Sequence, residues 1–173
     1  KLNSELQIKD VRGNVDTRIK KMIDGDYDGL VMAAAGLERL KLEKYITEYL
    51  DFKLFLSAPG QGAIAVETNA QNLEIKKIVS TINDTDSMIC TTHEREFMKK
   101  MGGGCNYPIG AYSNIVDNKM FLQGIVLSLD GKKSIRYQVE SINREENLAL
   151  KLSEKFFDND VSSLLNEIDN EIK

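Results

Sequence analysis

Tryptophan is absent from this 173-residue chain, histidine occurs once and cysteine twice, and there are two prolines. Two cysteines, Cys90 and Cys105, are too few for the disulfide framework of a secreted scaffold, and neither lies in a CxxC pair. A single imidazole, His93, excludes a His-rich zinc or iron centre and leaves any Ser-His-Asp triad to that one residue. No metal site is expected. The longest apolar run, Gly29 to Leu37, falls well short of the roughly 18–20 residues that cross a bilayer. No Lys/Arg block is long enough to follow a phosphate backbone, and the formal charge is -4, so neither membrane nor nucleic acid is an expected partner. The first residue is Lys1, and the opening residues lack the cationic-then-apolar pattern of a signal peptide, which leads us to expect a chain cut from a longer one and a reducing cytoplasm as its compartment.

What is present is a globular composition, 42% apolar and 29% charged, with room for one ordinary domain or two small ones. There is no internal repeat. From Gln7 to about Phe55 the pattern reads strand (Ile8 to Val11), helix (Val15, Ile19, Met22, Ile23), buried strand (Leu30 to Ala33) and a further helical region carrying Leu37, Leu40, Ile46 and Leu50. That is part of an α/β layer. The turn-rich loop Ser57-Ala-Pro-Gly-Gln-Gly62 leads into a β-branched run, Ala63 to Glu67, and a helix from Asn72 to Ile82. Asp84 can cap a helix running to about Met101, stopped by three glycines. Three strand-like runs follow, Ile109 to Ile115, Lys119 to Ser128 and Lys133 to Val139, with turn signals at Asp117-Asn118 and Asp130-Gly131. Two helices close the chain, carrying Leu148, Leu152 and Phe156, then Leu164, Leu165 and Ile168. The expected fold is therefore α/β, a partial βαβ-type domain, followed by a small α+β domain with a three-stranded antiparallel sheet.

Three stretches could carry chemistry. Gly102-Gly-Gly-Cys105 places a thiol just past a helix end in a bend open to close approach, although free cysteines most often serve as packing residues. Arg12-Gly-Asn-Val-Asp-Thr-Arg18 lies at a strand-to-helix turn, where helix N–H groups attract anions and each guanidinium can grip a carboxylate through two parallel bonds; surface arginines beside a helix cap are the plain alternative. Gly60-Gln-Gly62 lacks the third glycine of a dinucleotide fingerprint and precedes a strand rather than a helix, so a Rossmann site is excluded. An ordinary turn, or a loop meeting a ligand with its backbone and the Gln61 amide, both remain open. Cys90 and His93 read as packing residues of their helix.

Taken in order, Arg12-Gly-Asn-Val-Asp-Thr-Arg18, Ala33-Ala-Ala-Gly-Leu37, Gly60-Gln-Gly-Ala63 and Gly103-Gly-Cys-Asn-Tyr-Pro-Ile-Gly110 closely resemble the porphobilinogen deaminase (hydroxymethylbilane synthase) family. The resemblance covers essentially the whole chain but only the later part of the family's. It implies residues 1–56 as the closing half of the second domain, 57–83 as the segment returning to the first plus a linker, and 84–173 as the third. It implies a cytoplasmic, monomeric transferase of tetrapyrrole synthesis that joins four porphobilinogen units head to tail, releasing ammonia, on a dipyrromethane cofactor. By the same pattern Cys105 holds that cofactor through a thioether, Arg12 and Arg18 bind its acetate and propionate groups, and Ala33, Gln61 and Gly62 line the cleft. The chemistry suits these residue types. Each pyrrole brings two carboxylates, and loss of ammonia leaves a soft carbon electrophile that a thiolate captures well. One departure is Gly102, where the family usually has an acidic residue. The other is that the aspartate that handles protons belongs, in the family, before Lys1, so no catalytic acid-base residue is expected in this stretch and the isolated chain is expected to be inactive, its missing N-terminal domain being its partner. Two rival readings stand beside this one: a non-catalytic module binding a carboxylated ligand, and a thiol hydrolase pairing Cys105 with His93.

Overall fold

The chain organises into two compact units, residues 2–51 and 52–173. The computed structural model describes residue 3 and residues 5–102 and 107–172.

In the first unit, helix α1 (Val15–Ile23) starts at Asn14, whose side chain accepts the Thr17 N–H at 2.9 Å. Helix α2 (Ala34–Arg39) is short, and a single 3-10 turn follows at Glu43–Tyr45. The periodicity through Leu40, Ile46 and Leu50 predicts a longer helix than this. It stops because Lys41 adopts a left-handed conformation (φ 57°) and the Leu42 N–H bonds back to the Leu37 carbonyl at 2.9 Å, a C-terminal cap that turns the chain away. Ile19 and Leu37 are the buried apolar residues here. The expected strands at Ile8–Val11 and Leu30–Ala33 carry no regular secondary structure and enter no ladder among the described residues. Ile8 and Val31 stand 89% and 72% exposed, since a strand is held by a neighbour and neither segment has one within this unit. Among the described residues, the α/β layer expected for residues 1–56 is thus realised as helices without a paired sheet.

The second unit opens with an irregular segment, residues 52–72, in which the β-branched run Ala63–Glu67 is likewise unladdered, with Ile64 94% exposed. Helix α3 (Leu73–Ser80) is capped by Asn72, and α4 (Thr85–Lys100) by Asp84, whose carboxylate accepts the Ser87 N–H at 2.7 Å. Strands β1 (Ile109–Val116), β2 (Lys119–Leu127) and β3 (Ser134–Ser141) form an antiparallel meander in the order β1-β2-β3. The β1-β2 turn places Asp117 and Asn118 both at positive φ, the geometry of a tight hairpin. Helices α5 (Leu148–Phe157) and α6 (Val161–Ile172) complete the unit.

Alternation along β2 sends Met120, Leu122 and Val126 to one face, where they meet Phe97 and Met101 of the α4 end, Leu148, Leu152 and Phe156 of α5, and Val161, Leu164 and Ile168 of α6. Gly124 belongs to the same row and leaves the gap that the Phe97 ring fills.

Candidate functional site

In the first unit, the Arg12–Arg18 turn is folded by its own side chains. Asn14 Oδ1 accepts from both the N–H and the hydroxyl of Thr17, and Arg18 Nε donates to the Gly13 carbonyl at 2.7 Å. Lys21 Nζ donates to the Arg12 carbonyl at 3.3 Å. These bonds hold the backbone of the turn and leave the terminal guanidinium nitrogens of Arg18 unspent. Among the described residues neither Arg12 nor Arg18 makes an ion pair, so both forks retain capacity for a bidentate anion. Ala33, exposed, is the N-cap residue of α2 and offers no side-chain cap bond. A Cβ on Gly36 in the first turn of α2 would stand 3.9 Å from the Val15 side chain, so the two helices begin side by side. Arg12 and Arg18 thus flank the start of α1, and Ala33 sits at the start of the neighbouring α2.

Gln61 and Gly62 belong to the second unit. They form a turn over residues 58–62, with Gly60 and Gly62 at φ 76° and 86° and the Gln61 N–H bonded to the Ala58 carbonyl at 3.1 Å. The Gln61 side chain is exposed. The turn is anchored from α4: Glu94 Oε2 accepts the Gly60 N–H at 2.7 Å, while Oε1 accepts the Ser113 N–H of β1 at 2.7 Å. Glu94 is 6% exposed, and its burial pushes the carboxyl above its ordinary range while the two N–H donors pull it back.

Cys105, together with Gly103, Gly104 and Asn106, lies outside the described residues. Just downstream, the Tyr107 hydroxyl donates to Asp169 Oδ1 on α6, and the Pro108 carbonyl accepts the Leu127 N–H at 3.0 Å. Cys90 is a free, buried thiol, pushed up first by desolvation. His93 is buried, its Nδ1 has no partner among the described residues, and desolvation pushes its imidazole down. Both are packing residues of α4 as expected. No group of three metal-ligating side chains occurs among the described residues, and no described helix is long and apolar enough to cross a membrane.

Sequence reasoning passed over three residues that organise this region. Glu94 had a visible signal, an acid inside the apolar stripe Cys90, Phe97 and Met101 of α4 and its cap. Arg136, whose guanidinium donates to the carbonyls of Lys53 and Phe52 and to Gln123 Oε1, and Tyr107 had none, since the two carbonyls lie 83 and 84 residues from Arg136 and Asp169 lies 62 from Tyr107.

Comparison with known proteins bears directly on this arrangement. The family pattern described as "Porphobilinogen deaminase, dipyromethane cofactor binding domain" matches residues 1–77, and "Porphobilinogen deaminase, C-terminal domain" matches residues 88–158. The porphobilinogen deaminase of Carboxydothermus hydrogenoformans is 41% identical over 165 residues, 95% of this chain and 53% of that protein. That of Syntrophomonas wolfei is 43% identical over 129 residues, 75% of this chain and 42% of its own length, and one from Prochlorococcus marinus is 38% identical over 164 residues, 94% and 52% respectively. The chain spans about half the length of the curated relatives it matches. With both of the family's sequence patterns in succession and this identity over nearly all its residues, the chain belongs to the porphobilinogen deaminase family.

Proposed function

We propose that this chain is the downstream half of a hydroxymethylbilane synthase, the part that carries the dipyrromethane cofactor, and that it works as one cytoplasmic monomer with an upstream half supplying the acid-base aspartate. In this reading residues 1–56 close the second domain, 57–83 return to the first, and 84–173 form the third. Cys105 holds the cofactor through a thioether. When bound, dipyrromethane supplies the pyrrole terminus to which porphobilinogen units are added in turn, with release of ammonia.

The chain's own residues have two tasks. Arg12 and Arg18 neutralise acetate and propionate groups, and the start of α1 adds backbone N–H dipoles of the same sign. Ala33 in the first unit, and Gln61 and Gly62 in the second, are each assigned to meeting the cofactor, the small residues admitting a ring and the Gln61 amide offering both a donor and an acceptor. The observation that carries this is the pair of guanidinium groups with no ion-pair partner among the described residues, inside the stretch that matches a cofactor-binding domain. A tetrapyrrole precursor crowded with carboxylates fits that pair, and the residue set fits the cofactor.

The test is a cofactor assay on the complete gene product that carries this chain. Freshly purified protein is expected to hold two pyrrole units on the peptide containing Cys105, to colour with an aldehyde reagent for pyrroles, and to lose both on Cys105→Ser. Replacing Arg12 or Arg18 by Leu should lower the loaded fraction, while His93→Ala should not. The isolated 173 residues should consume no porphobilinogen. A bare Cys105 would instead make the protein a binding module for a carboxylated ligand.

A further inference from the structure

Segment 52–60 is strapped to the sheet at successive points, from the Arg136 side chain of β3 to the free edge of β1. Phe52 stacks on Tyr112 with ring centroids 4.1 Å apart. Arg136 grips the Phe52 and Lys53 carbonyls. Leu56 comes so close to Gly110 that a Cβ there would lie 3.0 Å from the Leu56 Cβ and 3.2 Å from its carbonyl oxygen. The Ser57 carbonyl then accepts the Ala111 N–H on the free edge of β1 at 3.0 Å. The next N–H on that edge, on Ser113, would take the next carbonyl if the segment continued as a strand. It does not, because the chain turns away at residues 58–62.

Glu94 fills the divergence. One carboxylate oxygen takes the orphaned Ser113 N–H, and the other takes the Gly60 N–H of the departing chain, both at 2.7 Å. A buried carboxylate without a cation is costly, and a neutral residue would suit a helix face shared with Cys90 and Phe97 better unless both acceptors were needed. Among the described residues, the bond to Gly60 is the last that ties this segment to the sheet, and Gln61 follows directly.

We propose that Glu94 is the positioning residue of the Gly60-Gln61-Gly62 turn, locking its backbone to β1 and so setting where the Gln61 amide reaches. The functional half rests on the reading of that turn as part of the cofactor cleft. Glu94→Gln keeps the shape but substitutes a donor for one acceptor, so one of the two N–H groups loses its partner. In the 15N-labelled chain, Gly60 to Ala63 amides should exchange about 10-fold faster or more, with β2 amides unchanged. In the complete gene product, KM for porphobilinogen should rise roughly threefold or more with kcat nearly constant, as for a misplaced binding group. Glu94→Asp, charged but one methylene shorter, gives the same readout should Glu94→Gln fail to fold. Exchange at the parent rate overturns the proposal, and so does a loosened turn with unchanged KM when Gln61→Ala raises it. If parent protein carries no adduct on Cys105, the assigned family reaction fails instead, and the exchange rates alone decide the role of Glu94.

Discussion

Gly124→Ala puts the packing of the second unit to a quantitative test. A methyl group on this residue would stand 2.6 Å from Cε1 and Cζ of Phe97 and 3.1 Å from a Leu152 methyl, against about 3.5–4.0 Å for carbon atoms in contact. The Phe97 ring must therefore retreat by about 1 Å. It has nowhere to go: it is fully buried and tilted against Phe156 at 5.1 Å, which in turn meets Tyr137 edge-on at 5.2 Å. Overpacking of this kind costs about 1–3 kcal/mol, and the stiffer unfolded chain returns about 0.4–1 kcal/mol, leaving a net loss of about 1–2 kcal/mol. For a unit of this size that lowers Tm by roughly 5–10 °C. Urea unfolding followed by far-UV circular dichroism and tyrosine fluorescence measures it, the latter free of interference because there is no tryptophan. In a Phe97→Leu background the smaller side chain should relieve the clash, with a coupling of about 1 kcal/mol. A Gly124→Ala protein within about 0.5 kcal/mol of the parent, or a cost unchanged when Phe97→Leu is also present, would refute the reasoning.

Other outcomes follow from single contacts. Asn147→Ala removes the side-chain oxygen that accepts the Leu150 N–H at 2.8 Å and should cost about 1 kcal/mol in the same urea assay. Arg136→Lys keeps the charge but loses the fork that grips the Phe52 and Lys53 carbonyls, so hydrogen exchange should accelerate over residues 52–57 and not over α5. The Ser128 hydroxyl, then the Lys132 N–H, hold the Asp130 carboxyl well below its ordinary value of 3.8. A depressed folded value means the stabilisation is present above the unfolded pKa and fades as pH falls towards the folded one. The urea-midpoint gap between parent and Asp130→Asn should thus be constant from about pH 5 to 7 and shrink below about pH 4. A gap that widened on acidification would contradict the sign.

How far the fold could be read in advance depended on whether the deciding interaction was local. Asp84 and Asn72 announce helix starts because a cap acts within three residues, and Asp117-Asn118 announces a hairpin because the turn demands positive φ at both positions. Alternation in β1 to β3 worked because the partners are consecutive in sequence. At Ile8–Val11 and Leu30–Ala33 apolar residues suggest strands but cannot name a partner, and the described residues of this unit form no ladder there. The early end of α2 turned on Lys41 in a left-handed conformation that lysine rarely adopts, so composition gave no warning. In the Arg12–Arg18 turn the helix start was legible because the Asn14 cap acts within three residues, whereas what the two guanidinium groups bind leaves no local mark in the sequence. The straps on segment 52–60 were not legible either, because Arg136 and Glu94 act across 84 and 34 residues on backbone atoms, which leave no mark in the sequence of their partners.

The assignment is tested most directly by the intact mass of the freshly purified complete gene product, with peptide mapping around Cys105. The account predicts a covalent adduct of two pyrrole units on that residue and its absence from Cys105→Ser. An unmodified thiol on Cys105 in otherwise folded protein would contradict it.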